Sequence, residues 1–198
     1  MFLNFACFLL RALLSLRYKV KVTGLEKLTP DALNRKGGIL FMPNHSAHME
    51  PLLLFLLLWP RYKMRPLVVE YIYRMPILTP LMKLVNALQV PDFEMSVNQL
   101  KIRRGEKAMD NIVQELKKKQ NFLVYPSGGL KRTAKEIIGG ASGVHSILQK
   151  CPEANPVLIR TTGFWGSSFS PAIEGRTPDI TKIIFQGIKT ILKNGKHQ

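Results

Sequence analysis

Apolar positions recur along this chain in short blocks separated by glycine, proline and charged residues. Residues 2–16 (FLNFACFLLRALLSL) carry one charge, Arg11. At about 100° per residue, Asn4, Arg11 and Ser15 share a narrow stripe, and Phe2, Phe5, Leu9, Leu13 and Leu16 spread around the rest. That pattern predicts a helix with a thin polar edge and a wide apolar face. Residues 18–23 (YKVKVT) alternate and predict an edge strand or ribbon. After Gly37-Gly38, the run Ile39-Leu40-Phe41-Met42 predicts a short buried strand. Residues 51–59 (PLLLFLLLW) are apolar all round, the mark of a helix buried in the core or against lipid.

Farther along, Leu67-Val68-Val69 predicts another strand, and residues 81–88 a helix running into a strand stub at Gln89-Val90. Ser96-Val97-Asn98-Gln99 has the form of a capping box with Ser96 as N-cap. It opens a helix in which Ala108, Met109, Ile112, Val113 and Leu116 keep helical spacing. Glu106 and Asp110 lie early and Lys117 to Lys119 late, as the helix dipole favours. Residues 122–125 predict a strand, 142–148 a helix, 156–160 a strand and 181–193 an amphipathic helix. Strands alternating with helices predict an α/β fold with a largely parallel central sheet flanked by helices. Residues 1–17 then form an N-terminal interfacial helix, and 18–198 a single domain.

Composition narrows the function classes. A hydrophobic content of 46% excludes a disordered basic tail. Two cysteines, Cys7 and Cys151, exclude a disulfide scaffold and a cysteine-rich zinc module. No apolar run approaches the ~20 residues of a spanning helix, which excludes a polytopic membrane protein. Lys plus Arg number 29 and Asp plus Glu 13, a net charge of +16 that calls for an anionic partner. The apolar helix followed at once by RYKVK suits a membrane surface, with the apolar face at the acyl boundary and cations at the headgroups. A buried core helix fits the pattern as well, whereas a secretory signal lacks its charged start and cleavage pattern.

Candidate chemistry concentrates in Asn44-His45-Ser46-Ala47-His48-Met49-Glu50-Pro51, between the predicted 39–42 strand and the apolar helix. Strand exits are where ligands meet side chains in such sheets. A spacing of five turns a regular helix by about 140°, so His45 and Glu50 meet only with His45 in the turn and Glu50 at the helix start. Pro51 agrees with a first helical turn there. Glu50 would then accept a hydrogen bond from one imidazole nitrogen and leave the other as a base. No nucleophile-elbow serine or cysteine is present, so the dyad suits activation of a substrate hydroxyl. A structural histidine remains open on spacing alone. A metal held by His45, His48 and Glu50 is disfavoured, because H-E-x-x-H is absent and His145 and His197 lie elsewhere.

A second constellation runs from Phe122 to Arg132 (FLVYPSGGLKR). Gly128 and Gly129 let backbone amides approach an anion, and Lys131 and Arg132 add charge with phosphate-binding geometry. No Walker loop is formed. A tight turn with solvated cations is the plain alternative; beside a His–carboxylate turn, a phosphate cradle is expected.

Taken together these motifs resemble the phospholipid/glycerol acyltransferases, of the lysophospholipid acyltransferase type. The resemblance rests on Asn44-His45 with Glu50, then Tyr125-Pro126-Ser127-Gly128-Gly129, then Asn155-Pro156-Val157-Leu158-Ile159, preceded by Val22-Thr23-Gly24-Leu25-Glu26. It implies acyl transfer from a thioester, on coenzyme A or acyl carrier protein, to the free hydroxyl of a lysophospholipid. It further implies His45 as base with Glu50, and substrate contacts at Asn44, Ser127, Gly128, Gly129, Lys131 and Arg132. No metal or cofactor is implied, and no nucleic-acid partner; the site would work at the cytoplasmic face of a membrane. Glu50 stands where the family usually has Asp, Ser127 where it has Glu and Leu130 where it has Arg, and no second arginine motif lies near Val90-Pro91-Asp92. The small residue is more like the domain accepting 2-acylglycerophosphoethanolamine. The family commonly continues with further strands, so a truncated form, inactive or not, or one piece of a larger polypeptide is expected. A non-catalytic basic protein binding nucleic acid or anionic membrane accounts for the charge, but not for residues 44–50 or the apolar N-terminus.

Overall fold

Among the described residues, five short strands, all paired in parallel, form one sheet: β1 (Ile39–Pro43), β2 (Arg65–Val69), β3 (Leu88–Val90), β4 (Phe122–Leu123) and β5 (Asn155–Ile159), in the order β3-β2-β4-β1-β5. Six α-helices among the described residues connect and cover them: α1 (Phe2–Ser15), α2 (Glu50–Tyr62), α3 (Glu70–Tyr73), α4 (Thr79–Leu84), α5 (Gln99–Lys117) and α6 (Gly143–Lys150). This computed structural model describes all residues except 1, 17, 77, 94–95, 139–141, 168 and 173–198. The α/β class with a parallel sheet flanked by helices is as the sequence predicts. The helix expected over 181–193 lies outside the described residues.

β1 reads as an unbroken apolar run because it is buried on both faces. Leu40 and Met42 pack with Ile112, Val113 and Leu116 of α5, Ile147 of α6 and Phe122. Ile39 and Phe41 point the other way, onto Leu54 and Leu58 of α2 and onto Met64 and Leu123. Two apolar layers thus bury β1 inside the sheet, between β4 and the edge strand β5. The chain leaves β1 towards β2 on one side and later crosses from β4 to β5 on the other. The carboxyl ends of β1, β4 and β5 therefore open together at a reversal of strand order, where α/β sheets place ligands.

Two local expectations are corrected. Residues 18–23 form no strand. Alternation of side chains does not make a ladder without a partner's amides and carbonyls, and Val20 and Val22 stay exposed. The N-cap of α5 is Asn98 rather than Ser96: the Asn98 carboxamide oxygen accepts the Lys101 amide at 2.8 Å. Asn caps as well as Ser, and Ser96 instead takes the Lys101 ammonium at 2.7 Å.

Candidate active site

The site is assembled from three strand exits. Asn44 follows β1 and ties it to the end of β5: its carboxamide oxygen accepts the Thr161 amide at 2.6 Å and the Thr161 hydroxyl at 3.1 Å. Its NH2 group donates to the Thr161 carbonyl and to the Ser46 hydroxyl, each at 3.1 Å. Two donors and two acceptor positions exhaust an asparagine amide. Asn44 is thus a brace that extends the β1–β5 ladder by a rung.

This brace starts a non-helical turn over residues 44–49, which ends as α2 begins at Glu50 with Pro51 in its first turn. The turn swings His45 back over the helix start. Its Nδ1 lies 3.3 Å from Glu50 Oε2, and that same oxygen accepts the Ser46 amide at 2.6 Å. The amide bond is the firmer anchor of the carboxylate; the imidazole contact is long for a charge-assisted bond, although such bonds commonly tighten only with substrate bound. Glu50 is fully buried, and its Oε1 has no hydrogen-bond partner. Such a carboxylate is costly; the Ser46 amide, the imidazole and the positive end of α2 offset that cost.

Tyr125, at the exit of β4, stacks its ring on the imidazole at 4.0 Å between centroids. Burial pushes the Tyr125 phenol well above its usual pKa of about 10, and the nearby charges of Glu50 and Glu136 push it further. The phenol therefore stays neutral, as an apolar wall. The imidazole keeps 14% of its side-chain surface exposed. Its chain neighbours Asn44 and Ser46 wall a cleft of about 400 Å³, with Lys131, Glu136, Arg160, Thr161, Thr162 and Trp165 on the other sides. Nδ1 is the ring nitrogen that faces Glu50. The two thiols offer no nucleophile: Cys7 and Cys151 are buried, and burial raises the pKa of both. Among the described residues, no cluster of three His, Cys, Asp or Glu side chains is placed to hold a metal ion.

The family model named Acyltransferase matches residues 19–173, most of the chain. The chain belongs to the acyltransferase family. The resemblance to the phospholipid/glycerol acyltransferases, drawn from three motifs in order, is borne out. Among solved structures, the 1-acyl-sn-glycerophosphate (LPA) acyltransferase PlsC of Thermotoga maritima matches with 10% identity and a TM-score of 0.43, over 82% of this chain and 70% of that one. A search of curated proteins finds no significant match.

Of the acyltransferase residues expected from sequence, Asn44, His45, Glu50 and Lys131 come together. Lys131 lies in the main cleft, with its ammonium 4.6 Å above the Trp165 ring and donating to the Ala134 carbonyl at 3.2 Å. Ser127, Gly129 and Arg132 instead line a separate depression of about 250 Å³ with Leu130, Thr133, Lys135 and Ile137. The cradle expected at Gly128 is not free to form there: its amide is taken by the Tyr125 carbonyl at 3.0 Å, inside a turn that needs the positive φ of 72° glycine allows. Sequence reasoning gave no role to Tyr125, Glu136, Thr161 or Trp165. Each reaches the site from another strand exit or loop, and no spacing along the chain announces such a meeting.

Proposed function

We propose that this acyltransferase moves a fatty acyl chain from an acyl thioester to the free hydroxyl of a lysophospholipid at a membrane surface. His45 is the general base and Glu50 the group that orients it. The observation carrying this reading is the pairing of His45 Nδ1 with a fully buried Glu50 carboxylate at the mouth of the sheet. Nε2 takes the acceptor's hydroxyl proton as that oxygen attacks the thioester carbonyl carbon. The tetrahedral intermediate collapses, the C–S bond breaks, and the imidazolium returns the proton to the departing thiolate. An ester and a free thiol result, with no net proton change and no cofactor. Coenzyme A or acyl carrier protein carries the donor.

Lys131, in the main cleft, is the cation offered to the acceptor's phosphate, and Arg132 with Ser127 and Gly129 forms an anion-suited edge alongside. The lipid surface meets α1, whose Phe5, Phe8, Leu9 and Leu13 are exposed, on the cytoplasmic face where acyl thioesters are held. No helix among the described residues is long and apolar enough to cross a membrane.

The test is incubation of membranes carrying the protein with a panel of lysophospholipids and labelled acyl-CoA and acyl-carrier-protein donors, read by mass spectrometry. His45→Ala is expected to lower transfer by about 10²–10⁴-fold, the usual worth of a general base. Wild-type rates in that variant, or tight lipid-independent binding of nucleic acid with no transfer, would overturn the assignment.

A further inference from the structure

The imidazole of His45 is held by Glu50 and Tyr125, but its backbone is held from elsewhere. The His45 amide donates to Glu136 Oε1 at 3.0 Å, across 91 positions of sequence. The His45 carbonyl accepts the Lys131 amide at 2.9 Å. One loop, residues 131–136, therefore grips both polar groups of the residue that carries the candidate base. The loop is itself tied: Lys131 Nζ reaches the Ala134 carbonyl at 3.2 Å, and the Thr133 hydroxyl the Lys135 carbonyl at 2.6 Å. Glu136 is only partly buried and sits in the wall of the 400 Å³ cleft. A carboxylate has ample water available at such a place, so a bond to one particular amide demands a reason.

The physical reason is the weakness of the turn. Residues 44–49 are non-helical, so neither a helix nor a sheet ladder holds the His45 amide. Rotation of its peptide would carry the imidazole off Glu50, where the contact is already 3.3 Å. A carboxylate on the amide is a charge-assisted bond, stronger than a neutral one, and it fixes that peptide plane. Placement of a reacting group is steeply rate-determining: an error near 1 Å costs about 10²-fold.

We propose that Glu136 is a positioning residue for acyl transfer, holding the His45 peptide so that the imidazole meets both Glu50 and the acceptor hydroxyl. This rests on His45 being the base. Glu136 itself takes no proton and touches no reacting atom.

The purified full-length chain in vesicles is assayed with palmitoyl-CoA and either lysophosphatidate or lysophosphatidylethanolamine. Three variants separate reach from charge. Glu136→Gln keeps an acceptor oxygen at the same reach and should retain turnover within a few fold. Glu136→Asp keeps the charge but withdraws it by a methylene, and Glu136→Ala removes it; both should lose about tenfold to 10²-fold in kcat with KM for each substrate nearly unchanged. Melting temperatures and turnover per folded molecule are measured alongside, since a purely structural role would lower the folded fraction and leave that turnover intact. Wild-type turnover in Glu136→Asp and Glu136→Ala, or a rise in KM at constant kcat, would overturn the proposal while loss of activity in His45→Ala upheld the base. Unchanged activity in His45→Ala would instead defeat the reading beneath it.

Discussion

Tyr125 shows what burial does to a single polar atom at this site. Its ring stacks on His45 at an interplanar angle of 28°, and its hydroxyl has no hydrogen-bond partner. Such an oxygen is a net cost to the folded state, and removing it is neutral or stabilising by up to about 1 kcal/mol. Tyr125→Phe, which keeps the ring, is expected to hold or raise the melting temperature at pH 8 with activity preserved. The alkaline behaviour follows from the raised phenol pKa. Folded and unfolded chains both hold this proton below pH ~10, so the protonated phenol's full contribution is present there. Above that, the unfolded chain releases it first, and stability falls as pH climbs towards the folded value. Thermal melts from pH 8 to 11 should therefore show a steeper alkaline loss in the wild type than in Tyr125→Phe. Nothing in the run FLVYPSGG marks Tyr125 as the wall of a histidine; only the return of β4 beside β1 does.

At the scale of elements, legibility follows burial symmetry. β1 is buried along its whole length and α2 buries Leu53, Leu54, Leu56 and Leu58 of its apolar run, so their composition announces them. Residues 18–23 alternate as a strand would but meet no sheet edge, so the same kind of evidence misleads there. The entry to β1 depends on close backbone approach that only glycine permits. A Cβ on Gly38 would lie 2.1 Å from the Gln120 carbonyl oxygen, while the Gly38 amide donates to Leu116 and its carbonyl accepts from Asn155. Neither neighbour is a side chain that can turn away. Gly38→Ala should cost at least the upper end of the ~1–3 kcal/mol typical of overpacking. A drop in denaturant midpoint, with activity recovered at low temperature, would show that the residue serves the sheet and not the chemistry. Gly37-Gly38 was legible as a turn into a strand; that the glycines are demanded by carbonyls of residues 120 and 153 was not.

At the scale of the whole molecule, α1 and the charge bear on the membrane contact proposed above. α1 packs on α2 along a seam through the buried Cys7, and Lys63 at the end of α2 bonds the Asn4 side chain. Phe5, Phe8, Leu9 and Leu13 occupy the arc left uncovered. Among the side chains described in α1 only Cys7 is buried, so this segment is not the buried core helix that its pattern also allowed. With +16 on the chain, affinity for anionic vesicles should be large at low salt and should weaken as screening shortens the range of attraction to ~8 Å. Phe8→Ser with Leu9→Ser should weaken vesicle co-sedimentation by about tenfold or more, from the lost apolar burial, without moving the salt dependence. Equal sedimentation of the variant would mean that charge alone holds the protein to lipid.

The order of apolar blocks determined the α/β class, because only two-sided burial tolerates such runs. The Asn-His-x4-Glu motif determined the candidate dyad, because Pro51 lets the helix begin where the acid stands. Both signals are local, written within a few residues of one another. The parallel order β3-β2-β4-β1-β5 is not local, and neither is anything that depends on it. It sets Thr161 against Asn44, Tyr125 against His45 and Glu136 beneath the His45 amide, and it sends Lys131 and Arg132 into different hollows. These partners are separated by 80 to 117 positions or were adjacent to begin with. Side-chain type and spacing carry no information about which distant strand exits will share an opening; packing of the two apolar layers against β1 decides that.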